Sequence, residues 1–300
     1  MTLHGAANAS AGLTIEVYTT PGRPIVSSTE PGSPDDLPTW SPCSSTLIYG
    51  EHDAVLVDAF ATFDQADALA DWIDTKGRRL SHIYITHGHG DHWLGLARLT
   101  QRFPGATGLA TPEVLARVEF EATGGMAGYW EAIFPGEVPT GADKVIPQLL
   151  MTSSIDLEGN ELRIIKIGQA DTAESTVLHV PSLAAVVTGD LAYNEVHMMT
   201  AETGAVERAQ WIANLDEVAA LEPTFVVAGH KKVENDNDSK IIGESQQYLR
   251  DFSRIVDQET TAAGIVAQML EIYRGWGNLR TLWYSTNAAI ARKEKWAIGS

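Results

Sequence analysis

The sequence predicts an α/β fold carrying a helical tail, and three observations predict it. Short apolar runs of strand length alternate with amphipathic helical stretches; the alternation occurs in two halves of similar layout; and past Ser239 only helical periodicity continues. Residues 1–45 are rich in Gly, Pro, Ser and Thr, with Pro21-Gly22, Pro31-Gly32-Ser33-Pro34 and Leu37-Pro38 as turn punctuation around one early strand at Leu13–Tyr18. This segment is expected to wrap the core rather than form it. Strands follow at Thr46–Tyr49 and Ala54–Val57, then a helix at Asp64–Thr75 with Ala66, Leu69, Ala70 and Ile73 at helical spacing, a strand at His82–Ile85, and a helix from His92 to Leu99. The second half repeats the scheme, with strands at Glu161–Ile167, Thr176–Val180 and Ala185–Thr188, a helix at Glu207–Leu221 and a strand at Phe225–Val227.

Between the halves, residues 111–148 carry Phe120, Met126, Tyr129, Trp130 and Phe134, which are read either as core or as an apolar wall over a cleft. The tail predicts helices at Ile241–Phe252, Glu259–Tyr273 and Thr286–Lys295, with Trp276, Trp283, Tyr284 and Trp296 packing it onto the body. Trp276, between two glycines, is also a candidate for a pocket rim. The organisation expected is a wrapping segment at 1–45, an α/β domain at 46–238, and C-terminal helices at 239–300 packed on the same domain.

Composition narrows the function. Three hundred residues with 44% hydrophobic content can bury a large core. A formal net charge of −18 argues against a nucleic-acid partner, because that binding depends on Lys and Arg neutralising phosphates. No run of about 20 apolar residues is present to span a bilayer, and Met1–Gly12 lacks the basic and apolar regions of a secretory signal. The expectation is a cytoplasmic protein acting on a small molecule, off the membrane, with a homodimer left open. The single Cys43 cannot form an internal disulfide and reads as a small buried residue rather than a nucleophile.

The chemistry is concentrated in Thr86-His87-Gly88-His89-Gly90-Asp91-His92, where three imidazoles and a carboxylate follow a strand and precede a helix. Imidazole and carboxylate are the ligands that borderline divalent ions such as Zn²⁺ take. Gly88 and Gly90 are expected to let the backbone fold sharply enough for the side chains to converge.

This His-x-His-x-Asp-His pattern resembles the signature of the metallo-β-lactamase superfamily. The resemblance extends over roughly residues 44 to 235: Ala185-Val186-Val187-Thr188-Gly189-Asp190 and Phe225-Val226-Val227-Ala228-Gly229-His230 end strand-like runs in the family's bridging Asp and final His, and Ala54-Val55-Leu56-Val57-Asp58 resembles its first acidic position, a support of the metal loop. The fold it implies is an αββα sandwich with metals at one sheet edge. In the loop Gly168-Gln169-Ala170-Asp171-Thr172-Ala173-Glu174-Ser175 the family's third His is missing. Registering the loop on Gly168 puts Gln169 in the ligand place; registering it on Thr172 and Ser175 puts Asp171 there. Asp171 is favoured, since a carboxylate is the better ligand.

The resemblance implies one ion on His87, His89 and Asp171, another on Asp91, His92 and His230, and Asp190 bridging them. Two Zn²⁺ per chain are expected, with Fe²⁺ or Mn²⁺ as substitutes. A water shared by two ions ionises near neutral pH and attacks a carbonyl, while the ions stabilise the oxyanion. Asp91 is expected to be both ligand and proton shuttle. His197, seven residues beyond Asp190, is a candidate proton donor or substrate contact, and Tyr193 a weaker one. The function expected is a metal-dependent hydrolase of a small ester or lactone, with thioester, amide or β-lactam as further substrates. The alternatives are a mononuclear non-haem iron oxygenase of the same fold and a non-catalytic metal-binding protein.

Overall fold

Two β-sheets stand face to face with helices on both outer sides. The computed structural model describes residues 6–10, 12–26, 39–124, 126 and 128–299, with 6–10 and 296–299 described by backbone alone. The expected turns at 31–38, residues 1–5 and 11 of the N-terminal stretch and the Trp296 side chain lie outside the described residues. The first sheet runs in the order Ala6–Ser10, Leu13–Thr20, Cys43–Tyr49, Asp53–Val57, Arg79–Tyr84, Thr107–Ala110, Gln148–Leu149; the second runs Ser154–Leu157, Asn160–Gly168, Ser175–Val180, Ala185–Asn194, Phe225–Lys231. Each sheet starts antiparallel and turns parallel, Asp53–Val57 pairing with Arg79–Tyr84 and Ala185–Asn194 with Phe225–Lys231. Parallel neighbours point their carboxyl ends the same way, so loops leaving them meet at one edge.

Strand residues alternate between faces. Ile48, Val55, Val57 and Tyr84 meet Leu178, Val180, Val187 and Val227 between the sheets. Leu47, Leu56 and Ile83 turn outward into a cluster with Leu69 and Ile73 of the helix Phe63–Asp74. Val177, Val186 and Val226 turn outward on the other side, toward Trp211 of Ala205–Ala219 and Leu249 of Lys240–Gln258. This is the αββα sandwich, and the tail helices Lys240–Gln258, Ala262–Ile272 and Leu279–Gly299 belong to its second outer layer.

Several elements differ from expectation. The N-terminal segment does more than wrap: Leu13, Ile15 and Val17 alternate with half-exposed neighbours and place Leu13–Thr20 inside the first sheet. The helix expected from His92 to Leu99 is two, Gly90–Trp93 and Leu96–Arg102. They part at Gly95, where a Cβ would stand 1.9 Å from the Ala59 carbonyl oxygen. The last tail helix starts at Leu279 rather than Thr286. Among the described residues no helix is long and apolar enough to cross a membrane.

Candidate metal centre

The metal loop is anchored before it reaches its first imidazole. Asp58, leaving Asp53–Val57 in the left-handed region at φ 64°, turns its carboxylate under the loop. It accepts hydrogen bonds from the Thr86 backbone N–H at 2.9 Å, from Thr86 Oγ1 at 2.9 Å and from His92 Nδ1 at 2.9 Å. The two loop glycines supply room rather than a sharp turn, for neither has a positive φ. A Cβ on Gly88 would meet Arg117 Cγ at 2.3 Å, and one on Gly90 would meet Trp130 Nε1 at 2.3 Å.

Asp171 arrives from the loop after Asn160–Gly168, Asp190 from within Ala185–Asn194, and His230 from near the end of Phe225–Lys231. Ligand atoms of His87, His89 and Asp171 lie within 4.8 Å of one another, as do those of His87, His92 and Asp190. His230 Nε2 stands 3.2 Å from Asp190 Oδ2 and 3.4 Å from Asp91 Oδ2. Two donors at about 2.0–2.2 Å from a tetrahedral ion are roughly 3.3 to 3.6 Å apart. The nitrogen–oxygen separations here run from 2.8 Å, between His89 and Asp171, to 3.9 Å, between His92 and Asp91. In the third-ligand loop, Asp171 is fully buried against the histidines, whereas Gln169 donates its amide to the Ala170 carbonyl at 2.8 Å.

The imidazoles are set for a cation. Each has one ring nitrogen tied outward: His87 Nδ1 to Thr86 Oγ1 at 3.1 Å, His89 Nε2 to Glu202 at 3.1 Å, His92 Nδ1 to Asp58, and His230 Nδ1 to the Pro42 carbonyl at 2.8 Å. Carboxylates and carbonyls only accept, so they place the proton on that outer nitrogen and turn the other lone pair inward. Among the described residues, the buried His87 Nε2, His92 Nε2, Asp171 Oδ2 and Asp190 Oδ1 have no hydrogen-bond partner. Buried polar atoms are rarely left so, and divalent ions held by the two groups would satisfy all four. The donor set therefore fits metal. Trp40 Nε1 donates to Asp91 Oδ2 at 3.0 Å and the Tyr193 hydroxyl to Asp190 Oδ2 at 2.7 Å, so the carboxylates are steered as well.

The charges compete without an ion. Burial opposes protonation of His92, but Asp58, Asp190 and Asp91 outweigh it and raise its pKa to about 9. Burial raises Asp171 to about 6 against the pull of His89. Burial, joined by the neighbouring His92, holds His87 well below its ordinary range.

A cleft opens over this cluster, bounded on the ligand side by His89, Asp91, Asp190 and His230, and elsewhere by Trp40, Met126, Tyr129, Trp130, Met199 and Tyr284. Residues 111–148 thus divide: Met126, Tyr129 and Trp130 wall the cleft, Phe134 is core, and Phe120 is 51% exposed. Tyr193 lines the cleft; His197 does not. It is fully buried behind the site, with Nδ1 3.1 Å from the Tyr248 hydroxyl and the Trp276 ring 6.2 Å away, and burial lowers its pKa to about 4. Trp276, expected at the rim, stacks on Tyr248 at 5.4 Å instead. Cys43 is buried, as expected of a small core residue, and its Sγ lies 3.5 Å from His230 Nδ1. Sequence reasoning missed Trp40, Glu121, Glu202 and Arg280, none of which carries a local pattern.

A sequence model described as the metallo-β-lactamase superfamily matches residues 38–230. No curated protein matches the chain in sequence. Among solved structures, the chain is similar to a metallo-β-lactamase family protein from Thermus thermophilus, with 17% identity, coverage of 95% of this chain and 94% of that one, and a TM-score of 0.62. It is also similar to a metallo-β-lactamase from Pontibacter korlensis, at 16% identity, 83% and 99% coverage and a TM-score of 0.58. A third similar structure is the metallo-β-lactamase FIM-1 from Pseudomonas aeruginosa in its mono-zinc form, at 15% identity, 83% and 96% coverage and a TM-score of 0.54. At these identities the likeness is one of fold.

Proposed function

The chain belongs to the metallo-β-lactamase superfamily, and from that premise we propose that it is a zinc-dependent hydrolase of a small ester or lactone, with His87, His89 and Asp171 holding one ion, Asp91, His92 and His230 a second, and Asp190 shared. The observation that carries this is the set of four buried, unpartnered donor atoms facing one another while the outer imidazole nitrogens are tied to acceptors. When bound, such ions supply a water that ionises near neutral pH and polarise a carbonyl. The protein's part is to orient and to exclude water. Asp91, aimed by the Trp40 indole and close to His230, is the carboxylate placed to pass a proton to a leaving group. Trp40, Trp130 and Tyr284 give the cleft the apolar walls that strengthen charge interactions inside it.

A second reading rests on the first ligand group alone. His87, His89 and Asp171 form a two-histidine, one-carboxylate set, the type that suits a ferrous oxygenase. Mass-spectrometric metal analysis of protein purified without chelator, followed by a panel of lactones, aryl esters, thioesters and β-lactams, separates the two. Two zinc ions with oxygen-independent turnover support the hydrolase; one iron with strict oxygen dependence overturns it. Bound metal with no turnover on the panel favours a non-catalytic role.

A further inference from the structure

Away from the metal cleft, a second groove of about 650 Å³ lies where the helix Ala205–Ala219 starts, with Val206, Val256 and Ala289 as its apolar side. It shares no lining residue with the cleft over the ligands. Arg208, Arg292 and Lys293 line it, against the carboxylates of Glu207 and Asp257. In a chain of formal charge −18, a groove where cations outnumber carboxylates stands against the average.

Arg208 is 3% exposed, and a guanidinium stays charged when buried. Taking that charge out of water is costly unless an opposite charge compensates. None does so at close range. Nε donates to the Ser253 hydroxyl at 2.8 Å and Nη1 to the Thr203 carbonyl at 2.9 Å, while Nη2 has no hydrogen-bond partner among the described residues. Burial lowers the pKa of Arg208; Asp257 and Glu207 oppose this from beyond ion-pair distance, and Arg292 adds to it. Arg292 is a second cation on the same acceptor, donating through Nη1 to the Thr203 carbonyl at 3.3 Å. Two guanidinium groups thus meet on one carbonyl oxygen, and neither forms an ion pair among the described residues. Like charges resist that approach unless an anion lies between them. Lys293, fastened to the Val256 and Glu259 carbonyls, adds a third positive charge. The helix adds the positive end of its dipole, which Glu207 meets only in part by accepting from the Gly204 N–H at 3.0 Å.

From these observations we propose that the groove binds a phosphoryl oxyanion, as free phosphate or as the phosphate of a monoester, between Arg208 and Arg292. A tetrahedral oxyanion offers several oxygens to two guanidinium forks, and the apolar side gives room for an ester group. The proposal stands without the hydrolase reading. Inorganic phosphate and phenylphosphonate, a stable stand-in for an ester, are titrated calorimetrically into the wild type, Arg292→Gln, Arg208→Lys and His87→Ala, at an ionic strength fixed with sodium chloride. A metal centre also takes oxygen ligands, so His87→Ala, which deletes a metal ligand, separates the two sites. The binding proposed is the component that His87→Ala keeps and that Arg292→Gln, at an exposed position, weakens by about tenfold to a hundredfold. Arg208→Lys, which keeps the charge without the fork, should weaken it as well. Tighter binding of phenylphosphonate than of phosphate assigns the groove to an ester, and equal or weaker binding assigns it to the free ion. The proposal is overturned if no saturable phosphate binding survives the sodium chloride, if His87→Ala abolishes it all, or if Arg292→Gln binds as tightly as the wild type whatever its melting temperature, which marks a tether between helices. Should Arg208→Lys not fold, Arg292→Gln decides alone.

Discussion

On the ligand side of the cleft the groups come from the ends of core strands or from the loops they feed, whereas the other walls come largely from residues 111–148 and from the tail. Asp190 and His230 are placed by paired strands with buried side chains on both faces, and His87 by the loop that leaves Arg79–Tyr84 over the Asp58 carboxylate, so their backbone positions follow from the fold itself. Met126, Tyr129, Arg280 and Tyr284 are placed by side-chain packing and by a few bonds between segments far apart in sequence. The difference teaches how one architecture serves many substrates. The candidate metal centre is tied to the sandwich and the other walls are carried by segments outside the core strands, the arrangement by which one fold takes different substrates.

The largest expected effect lies on the ligand side. Replacing His87 or His89 by Ala deletes a donor outright, and because even outer partners of metal ligands cost about 10- to 100-fold, the loss of activity should exceed about a hundredfold, with metal content falling in parallel. Thermal melts should still show a cooperative transition, since the three apolar layers do not include these side chains. Full metal stoichiometry and activity in both variants would remove the ligand assignment.

Next comes the third-ligand loop, which sharpens the contrast within a single stretch of chain. Asp171→Ala should lower occupancy of one ion and reduce activity by about a hundredfold or more, and Asp171→Asn should behave like Ala because the amide oxygen is a poor ligand. Gln169→Ala, which loses only bonds such as the one to the Ala170 carbonyl, should keep its metal. Metal analysis of the three proteins decides; loss of metal in Gln169→Ala alone would reverse the register.

The same division explains what could be read from the chain. His87, His89, Asp91 and His92 sit within one loop, and Asp190 and His230 each close a strand-like run, so local spacing is enough to find them. Asp171 needed only a choice between two registers. Trp40, Glu202 and Arg280 have no such signature, because what brings them to the cleft is tertiary approach: Trp40 to Asp91, Glu202 to His89, Arg280 to Tyr129. His197 shows the opposite error. Nearness to Asp190 in sequence suggested the cleft, and the chain does stay beside it, since Tyr193 and Met199 line it, but the His197 side chain turns the other way, onto the Tyr248 hydroxyl.

His197 gives a prediction on stability rather than catalysis. Its folded pKa of about 4 lies below the ordinary value near 6.5, so the unfolded chain binds the proton more readily. Its contribution is complete above about pH 6.5 and is lost as the pH falls toward 4. By pH 4.5 the loss should reach roughly 2 to 3 kcal/mol, while His197→Gln should lack this component. Urea midpoints for the two proteins at pH 7 and 4.5 give the comparison; parallel acid sensitivity would mean that His197 is not buried as a neutral ring.

The smallest expected effect tests where the ligand side ends. Cys43 Sγ lies 3.5 Å from His230 Nδ1 and 3.8 Å from Asp91 Oδ2, and Cys43, Asp91 and His230 together have donor atoms within 4.8 Å of one another. Distance alone would admit the thiol as a ligand. The orientation of His230 argues otherwise, because Nδ1 is the nitrogen tied to the Pro42 carbonyl while Nε2 faces Asp190. The sulfur thus touches the outer side of the ring, and burial, opposed by the charge of His230, raises its pKa to about 11, which keeps it a thiol at neutral pH. Cys43→Ala should therefore retain the metal content of the wild type and stay within about threefold of its activity, with Pro42 still orienting the ring. The cost should appear in stability, at about 1 kcal/mol for a small buried group, read as a melting temperature lower by a few degrees. Loss of an ion in Cys43→Ala would make the thiol a ligand and extend the ligand side to the strand Cys43–Tyr49.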